Sequence, residues 1–367
     1  MSEPPRACSD PVSGPVSLDH LRRITEKRGV IQHCVYSMPN PETGFCIDDN
    51  ARALIVTVMH YEQFGEAQVL ALARTYLEFL RFAQKKNGRF HNFVDYQGIF
   101  LDEEGSQDSF GRAIWACGYV IGSSALEDEL KGRAHEIFLK AFPHILAMDN
   151  LRPQAFSLLG LYHYLRAFPE AKTAQQALLS LGKRLTQAYE STRGRDWHWF
   201  EDKLTYCNAR LPQALYLAHQ VTEKKKFLKT AEEATRFLLK NQVKDGMFLV
   251  VGNREWYPRG GELSLYDQQP VDAGCMVELL ATAYEVTGQK EYLELAELSY
   301  EWFTGKNIVG KMLCDPQTGA CYDGLEENGV NMNQGAESTI AYLLASLTMR
   351  KLLSKLTVGG RQLTVDG

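Results

Sequence analysis

Residues 45–58, FCIDDNARALIVTV, set a pattern that the rest of the chain repeats. A polar knot of Asp48, Asp49, Asn50 and Arg52 runs into a helical stretch whose residues Ala51, Ala53, Leu54, Ile55, Val56 and Val58 are apolar almost all round. A helix without a wet face has to be covered on every side. The same head and body return as DSFGRAIWACGYVIG from Asp108, RPQAFSLLGLYHYL from Arg152, NARLPQALYLA from Asn208, DQQPVDAGCMVELLATA from Asp267 and NQGAESTIAYLLASL from Asn333. The chain thus carries six polar-headed helices to bury.

The segments between them supply the cover. SLDHLRRITEKRG, GEAQVLALARTYLEFLRFAQ, EDELKGRAHEIFLKAFPHIL, AKTAQQALLSLGKRLTQAY, EKKKFLKTAEEATRFLLKNQ and KEYLELAELSYEWFTG place apolar residues at three- and four-residue spacing with charges elsewhere on the wheel;. Six amphipathic helices around six buried ones predict an all-α (α/α)6 toroid over residues 17–356. Residues 1–16, rich in Pro and Ser, are expected to form a disordered leader, and 357–367 a C-terminal tail;.

Connections from inner back to outer helices are brief, as in HQVTEKKK and VTGQK, whereas those from outer to inner are long and hold short strand-like aromatic pieces. Loops beyond about 12–15 residues are usually functional, so function is expected at the one rim where the inner helices begin. The unpaired N–H groups of those helices point to the same rim. Asp48, Asp49, Asp108, Asn208, Asp267 and Asn333 stand at N-cap positions, where capping alone explains an Asp or Asn. Arg52, Arg112 and Arg210 fall in first turns, an unfavourable place for a cation, and are expected to pair with rim carboxylates or to read an anionic group of a substrate.

The rim loops combine acids, rings and amides. Trp197, His198, Trp199, Phe200, Glu201 and Asp202 are contiguous; Trp256, Tyr257, Arg259, Tyr266, Asp267, Gln268 and Gln269 form a second group, and Asp323, Asn331, Asn333, Gln334 and Glu337 a third. Carboxylates move protons, aromatic faces hold sugar rings, and Asn, Gln and Arg read hydroxyls, so this coincidence points to carbohydrate chemistry. The candidate catalytic carboxyls are Glu201, Glu337, Asp49 and Asp108, two of which would flank a scissile glycosidic bond. Glu337 has no Lys or Arg near it in sequence, and burial there would raise its pKa and make it an acid. Candidate substrate-binding residues are Asp48, Arg52, Arg112, Trp197, Trp199, Asn208, Arg210, Trp256, Asp267, Gln268, Gln269, Asp272, Asn333 and Gln334.

Other function classes fit poorly. The net charge is -5 with Lys and Arg scattered, so no basic field awaits a nucleic acid;. No apolar run reaches the roughly 18 residues of a membrane span. The nine histidines and eight cysteines show neither HExxH nor zinc spacing, and no GxGxxG, GxxxxGK[ST] or GxSxG occurs, so no metal and no nucleotide cofactor is expected;. Cysteines without a CxxC pair, two of them inside apolar helices, suit the reducing cytoplasm;.

HLRRITEKRGVIQH, GFCIDDNARALIV, SQDSFGRAIWA, WHWFEDKLTYCNARLPQAL, YDQQPVDAG and DGLEENGVNMNQGAESTIAYL resemble a family of six-hairpin, (α/α)6 glycosidase-like modules, some of which stand beside glycosyltransferase domains in bacterial proteins. The likeness extends from about His20 to Leu347. It implies a role in oligosaccharide or glycan metabolism, most readily hydrolysis, and a glycosyltransferase as a partner. Asp272 departs from it, the longer Glu being expected there. Toroids of this kind also host epimerases of the N-acylglucosamine 2-epimerase type, for which His33, His91 and His198 offer a base beside a C–H proton. A non-catalytic glycan-binding module is the third alternative.

Overall fold

The computed structural model describes residues 15–362, so residues 1–14 of the expected leader and the end of the expected tail lie outside the described residues. Twelve α-helices are described: α1 (Asp19–Arg23), α2 (Ile47–Phe64), α3 (Val69–Ala83), α4 (Gln107–Gly122), α5 (Asp128–Ala141), α6 (Leu151–Ala167), α7 (Lys172–Thr192), α8 (Arg210–Thr222), α9 (Lys225–Gln242), α10 (Pro270–Thr287), α11 (Lys290–Glu301) and α12 (Ala336–Gln362). The even-numbered helices are the polar-headed ones. Each packs on the next, α2 on α4, α4 on α6, α6 on α8, α8 on α10, α10 on α12, and α12 back on α2, which closes the ring.

Burial follows the two helix types. From Asp49 to His60 every residue of α2 is buried, whereas α3 buries Val69, Leu70, Ala73, Tyr76, Leu77, Phe79, Leu80 and Ala83 and leaves its other face to solvent. The tightest seam lies between α4 and α6. A Cβ at Gly118 would stand 2.1 Å from the Gly160 carbonyl oxygen, and one at Gly160 would stand 2.4 Å from that of Ile114, so these two glycines set how closely the helices approach;.

Three local expectations differ. The first outer helix is only Asp19–Arg23, because residues 25–30 turn back on themselves: Thr25 pairs with Val30, and the Glu26 N–H donates to the Gly29 carbonyl at 2.8 Å. The helix from Asp128 stops at Ala141, and Pro143 carries the chain on as a 3-10 turn. The last helix passes residue 356 and runs to Gln362.

The strand-like pieces are short antiparallel pairs. Phe45–Cys46 pairs with Phe93–Val94, Lys203–Leu204 with Tyr257–Pro258, and Gly324–Glu326 with Gly329–Asn331. The first two bind loops that are far apart in sequence, so the rim is a stitched collar. Among the described residues no helix is long and apolar enough to cross a membrane.

Candidate active site

The inner helices bring their first turns together at the collar, but capping is not what the acids there do. The caps are Cys46, Ser106, Asn150, Ala209 and Gln269, of which only Ser106 accepts a bond through its side chain. Asp48, Asp49 and Asp108 lie inside the first turns, while Asn208, Asp267 and Asn333 sit in the preceding loops. The first-turn acids are therefore free for other partners.

For Asp48 and Asp49 those partners are Arg52 and Arg112, in the second turns of α2 and α4. Arg52 donates from one Nη2 to Asp49 Oδ1 at 2.8 Å and to Glu337 Oε2 at 2.9 Å, while its Nε holds the Asp48 carbonyl at 3.0 Å. Arg112 approaches Asp48 at 3.5 Å and Glu337 at 3.9 Å, with its guanidinium stacked 4.9 Å from the Phe156 ring. Around this knot lies a cavity of about 320 Å³ walled by Asp48, Asp49, Arg52, Arg112 and Glu337 from the helices and by His33, Phe93, Gln269 and Asp323 from the loops.

The electrostatics reverse one expectation. Burial pushes the Glu337 carboxyl towards its neutral form, but Arg52 and Arg112 outweigh it and hold its pKa below the usual glutamate range. Both arrive from distant parts of the chain, which is why the local sequence pointed the other way. Glu337 keeps 45% of its side-chain surface open to the cavity even though protein encloses it at depth, so it is an ionised group within reach of a ligand. Asp49 goes in the opposite direction: burial raises its pKa despite Arg52, and its Oδ2 accepts from the Cys46 thiol at 3.1 Å. Two carboxyls whose pKa values are pushed in opposite directions thus share one guanidinium nitrogen.

Glu201 is held elsewhere. Arg152 grips both its oxygens at 3.0 and 2.9 Å, and spends its other donors on the Tyr206 carbonyl at 2.5 Å, Thr205 at 2.6 Å and Asn208 at 3.2 Å. Arg152 went unremarked as a site residue because nothing near it in sequence announces five bonds to one loop. Asp108 accepts from the Tyr206 hydroxyl at 2.8 Å, which links this staple to the Arg112 side of the rim. Neither Glu201 nor Asp108 lines the cavity.

Several expected sugar contacts turn out to be scaffolding. Trp197 and Trp199 are buried, the first donating to the Glu201 carbonyl at 2.7 Å and packed edge-on against Phe237, so their rings hold the loop down and not a sugar. Trp256 is half-buried, packed against the core at a positive φ of 63°. Arg210 is buried on Glu278 and stacks 4.5 Å from Trp115, deeper along the ring axis. Gln268 is buried between Trp302 and the Leu265 carbonyl. Asn333 accepts the Tyr36 N–H at 2.9 Å, and Gln334 engages Tyr36 and His20 through its backbone.

Asp272 lies under the floor. Its Oδ1 accepts the Cys207 N–H at 2.6 Å, its Oδ2 is enclosed without a hydrogen-bond partner among the described residues, and burial raises its pKa well above the ordinary aspartate value. Burial favours the neutral form of such a carboxyl. Of the loop histidines, His33 lines the cavity, whereas His91 stacks on Phe100 at 4.0 Å. Among the described residues no group of three His, Cys, Asp or Glu side chains could hold a metal ion.

No protein-family model matches the chain, and no curated protein matches it by sequence. Solved structures do. The cellobiose 2-epimerase of Bacillus thermoamylovorans superposes with a TM-score of 0.71 at 12% identity, over 92% of this chain and 96% of that one. An inactive variant of the α-1,6-mannanase GH76A of Salegentibacter sp., in complex with α-1,6-mannotetrose, gives 0.64 at 12% identity over 91% and 96%. The cellulase Cel9M of C. cellulolyticium, in complex with cellobiose, gives 0.61 at 10% identity over 92% and 90%. With the ring closed by six inner helices and matched over nearly its full length, the chain has the six-hairpin (α/α)6 glycosidase-like fold.

Proposed function

We propose that this protein is a carbohydrate-active enzyme, a glycoside hydrolase that cleaves a short oligosaccharide in the rim cavity without a metal. The observation that carries the proposal is the pair on Arg52: a cavity-facing Glu337 whose pKa is lowered by Arg52 and Arg112, beside a buried Asp49 whose pKa is raised. Two carboxyls whose surroundings push their pKa values apart are what glycoside cleavage uses as its acid and its base or nucleophile. Glu337 attacks the anomeric carbon or takes the proton of an attacking water, and its charge faces the positive charge that develops on the ring. Asp49 gives its proton to the departing oxygen. Where Glu337 has attacked, water then breaks the Glu337 ester, giving its proton to the Asp49 carboxylate and its oxygen to the anomeric carbon; where Glu337 has taken a proton from water, proton exchange with solvent restores both groups, and either route yields a reducing sugar and the released alcohol.

A cavity of about 320 Å³ is at the small end of ligand sites, about 300–1,000 Å³, which favours one or two sugar rings over a polymer;. Among the described residues the seven cysteines form no disulfide, in keeping with action in the cytoplasm;. A glycosyltransferase partner rests on the sequence resemblance alone.

The test is a panel of short oligosaccharides, with reducing-end release measured for the parent, Glu337→Gln and Asp49→Asn. Release by the parent and its loss in both folded variants supports the proposal; no release from any sugar, or release that survives Glu337→Gln, refutes it. The second reading, an epimerase, draws on His33 in the cavity wall and on the likeness to cellobiose 2-epimerase. Incubation in deuterium oxide separates the two, because an epimerase puts deuterium on a carbon of the recovered sugar and a hydrolase does not.

A further inference from the structure

A second cavity of about 230 Å³ adjoins the first, and the two share Gln269 and Asp323 as a common wall. Its far side is made by Asn253, Asp267 and Asn331. We infer that this second cavity is a sugar subsite, so that the site takes an oligosaccharide of at least two units laid from Glu337 across Gln269 and Asp323 towards Asn253. The inference rests on the sugar-cleaving proposal and specifies where the rest of the substrate lies.

Three features support it. The shared wall offers unspent polar groups: Asp323 Oδ1 is taken by the Gly335 N–H at 2.8 Å and by the Ser338 hydroxyl, but its Oδ2 has no partner among the described residues, nor has the Gln269 amide. A carboxylate oxygen accepts two hydroxyl protons and an amide both donates and accepts, which is the pattern that reads a vicinal diol. The walls are also rigid. Gln268 and Leu325 exchange both backbone bonds at 3.0 and 2.9 Å, the Asn253 N–H donates to the Asp267 carbonyl at 3.0 Å, and a Cβ at Gly252 would stand 1.9 Å from the Tyr266 carbonyl oxygen. Asp267 is held there at φ 48°, a conformation that non-glycine residues adopt only where the surroundings impose it;.

The charges specify the ligand class. Asp267, Asp323 and Glu326 face the second cavity, no Lys or Arg lines it among the described residues, and Arg254, which pairs with Asp267 at 3.4 Å, is shared with Glu327 at 3.2 Å. A phosphorylated or uronic ring would meet carboxylates without a free guanidinium. The subsite therefore takes a neutral pyranose ring, read through its hydroxyls.

Calorimetry with the full-length protein tests this, using mannose against α-1,6-mannobiose and glucose against cellobiose, on the parent and on Asn253→Trp, which fills the far side. A second ring that gains two or three hydrogen bonds binds at least about tenfold tighter than one ring alone, and Asn253→Trp brings that ratio down towards one. Because the ratio is internal to each protein, a general loss of fold does not mimic the result, and a melting curve of the variant checks the fold directly. A ratio near one in the parent, or one that Asn253→Trp leaves unchanged, overturns the subsite. Tighter disaccharide binding without product release would leave the subsite standing and remove the hydrolase. Binding of none of the four sugars would overturn both.

Discussion

Arg52 and Arg152 each lie in the first two turns of an inner helix, each is buried and each holds a glutamate from a distant loop or helix, yet the two pairs do opposite things. Arg152 closes both oxygens of Glu201 and fixes a loop with its remaining donors. Arg52 divides one nitrogen between two carboxyls and leaves Glu337 half open to a cavity. An arginine at a helix N-terminus is an electrostatic anomaly by itself. Whether the carboxylate it holds is saturated or left with a free face is what separates a staple from a reactive group.

The largest expected effect breaks the comparison on the Arg52 side. Glu337→Gln lowers kcat/KM by at least about 10²-fold, with a melting temperature near the parent's. The mirror change, Glu201→Gln, keeps kcat/KM close to the parent's and costs stability instead, on the order of 1 kcal/mol in urea unfolding. If the two variants exchange these outcomes, the assignment of roles is wrong.

Next comes the staple itself. Arg152→Ala leaves the Glu201 carboxylate, the Thr205 hydroxyl and the Tyr206 carbonyl without their donor, while Asn208 keeps the Thr205 N–H, and a loss of about 3 kcal/mol is expected, as for breaking a largely buried pair;. Chemical denaturation measures it. A loss under about 0.5 kcal/mol, the range of neutral surface changes, would mean that the loop is held by its aromatic packing alone.

The pH dependence sharpens the contrast. Because Arg52 and Arg112 lower the Glu337 pKa, the acid limb of kcat/KM falls below the ordinary glutamate value of about 4.3, and Arg112→Gln moves it upward. The lowered pKa also stabilises the fold above the unfolded-state value, and that stability is lost as pH falls through the folded one. Asp49 has the opposite sign. Its raised pKa favours the fold at low pH, and the benefit disappears as pH rises through the folded value;. Asp49→Asn therefore leaves stability at pH 7 equal to the parent's or slightly higher while activity collapses, and a clear drop in melting temperature at pH 7 would contradict that sign.

How much of this was legible in the sequence depended on what sets each feature. The ring was legible, because the alternation of all-apolar and one-sided helices is a property of periodicity. The rim was legible from loop lengths. The pairing of Arg52, Arg112 and Arg210 with carboxylates followed from the dipole rule, though not the partners, which for Arg52 include a residue 285 positions away. The roles of Trp197 and Trp199 were not legible, since no period fixes the direction of a loop side chain, and both point inward. The protonation of Glu337 was misjudged for the same reason of distance. His33, Phe93 and Asp323 reach the cavity from loops; Asp323, set in a run of Asn and acids, and His33, a candidate base, are legible in the sequence, whereas Phe93 carries no signal there.

The most direct measurement is the position of a sugar in a crystal of Glu337→Gln soaked with α-1,6-mannobiose or cellobiose. One ring is expected against Asp48, Arg52 and Arg112, with the second across Gln269 and Asp323. A sugar bound instead beside Glu201, or at the opposite mouth of the ring near His163 and Arg166, would contradict the placement of the active site.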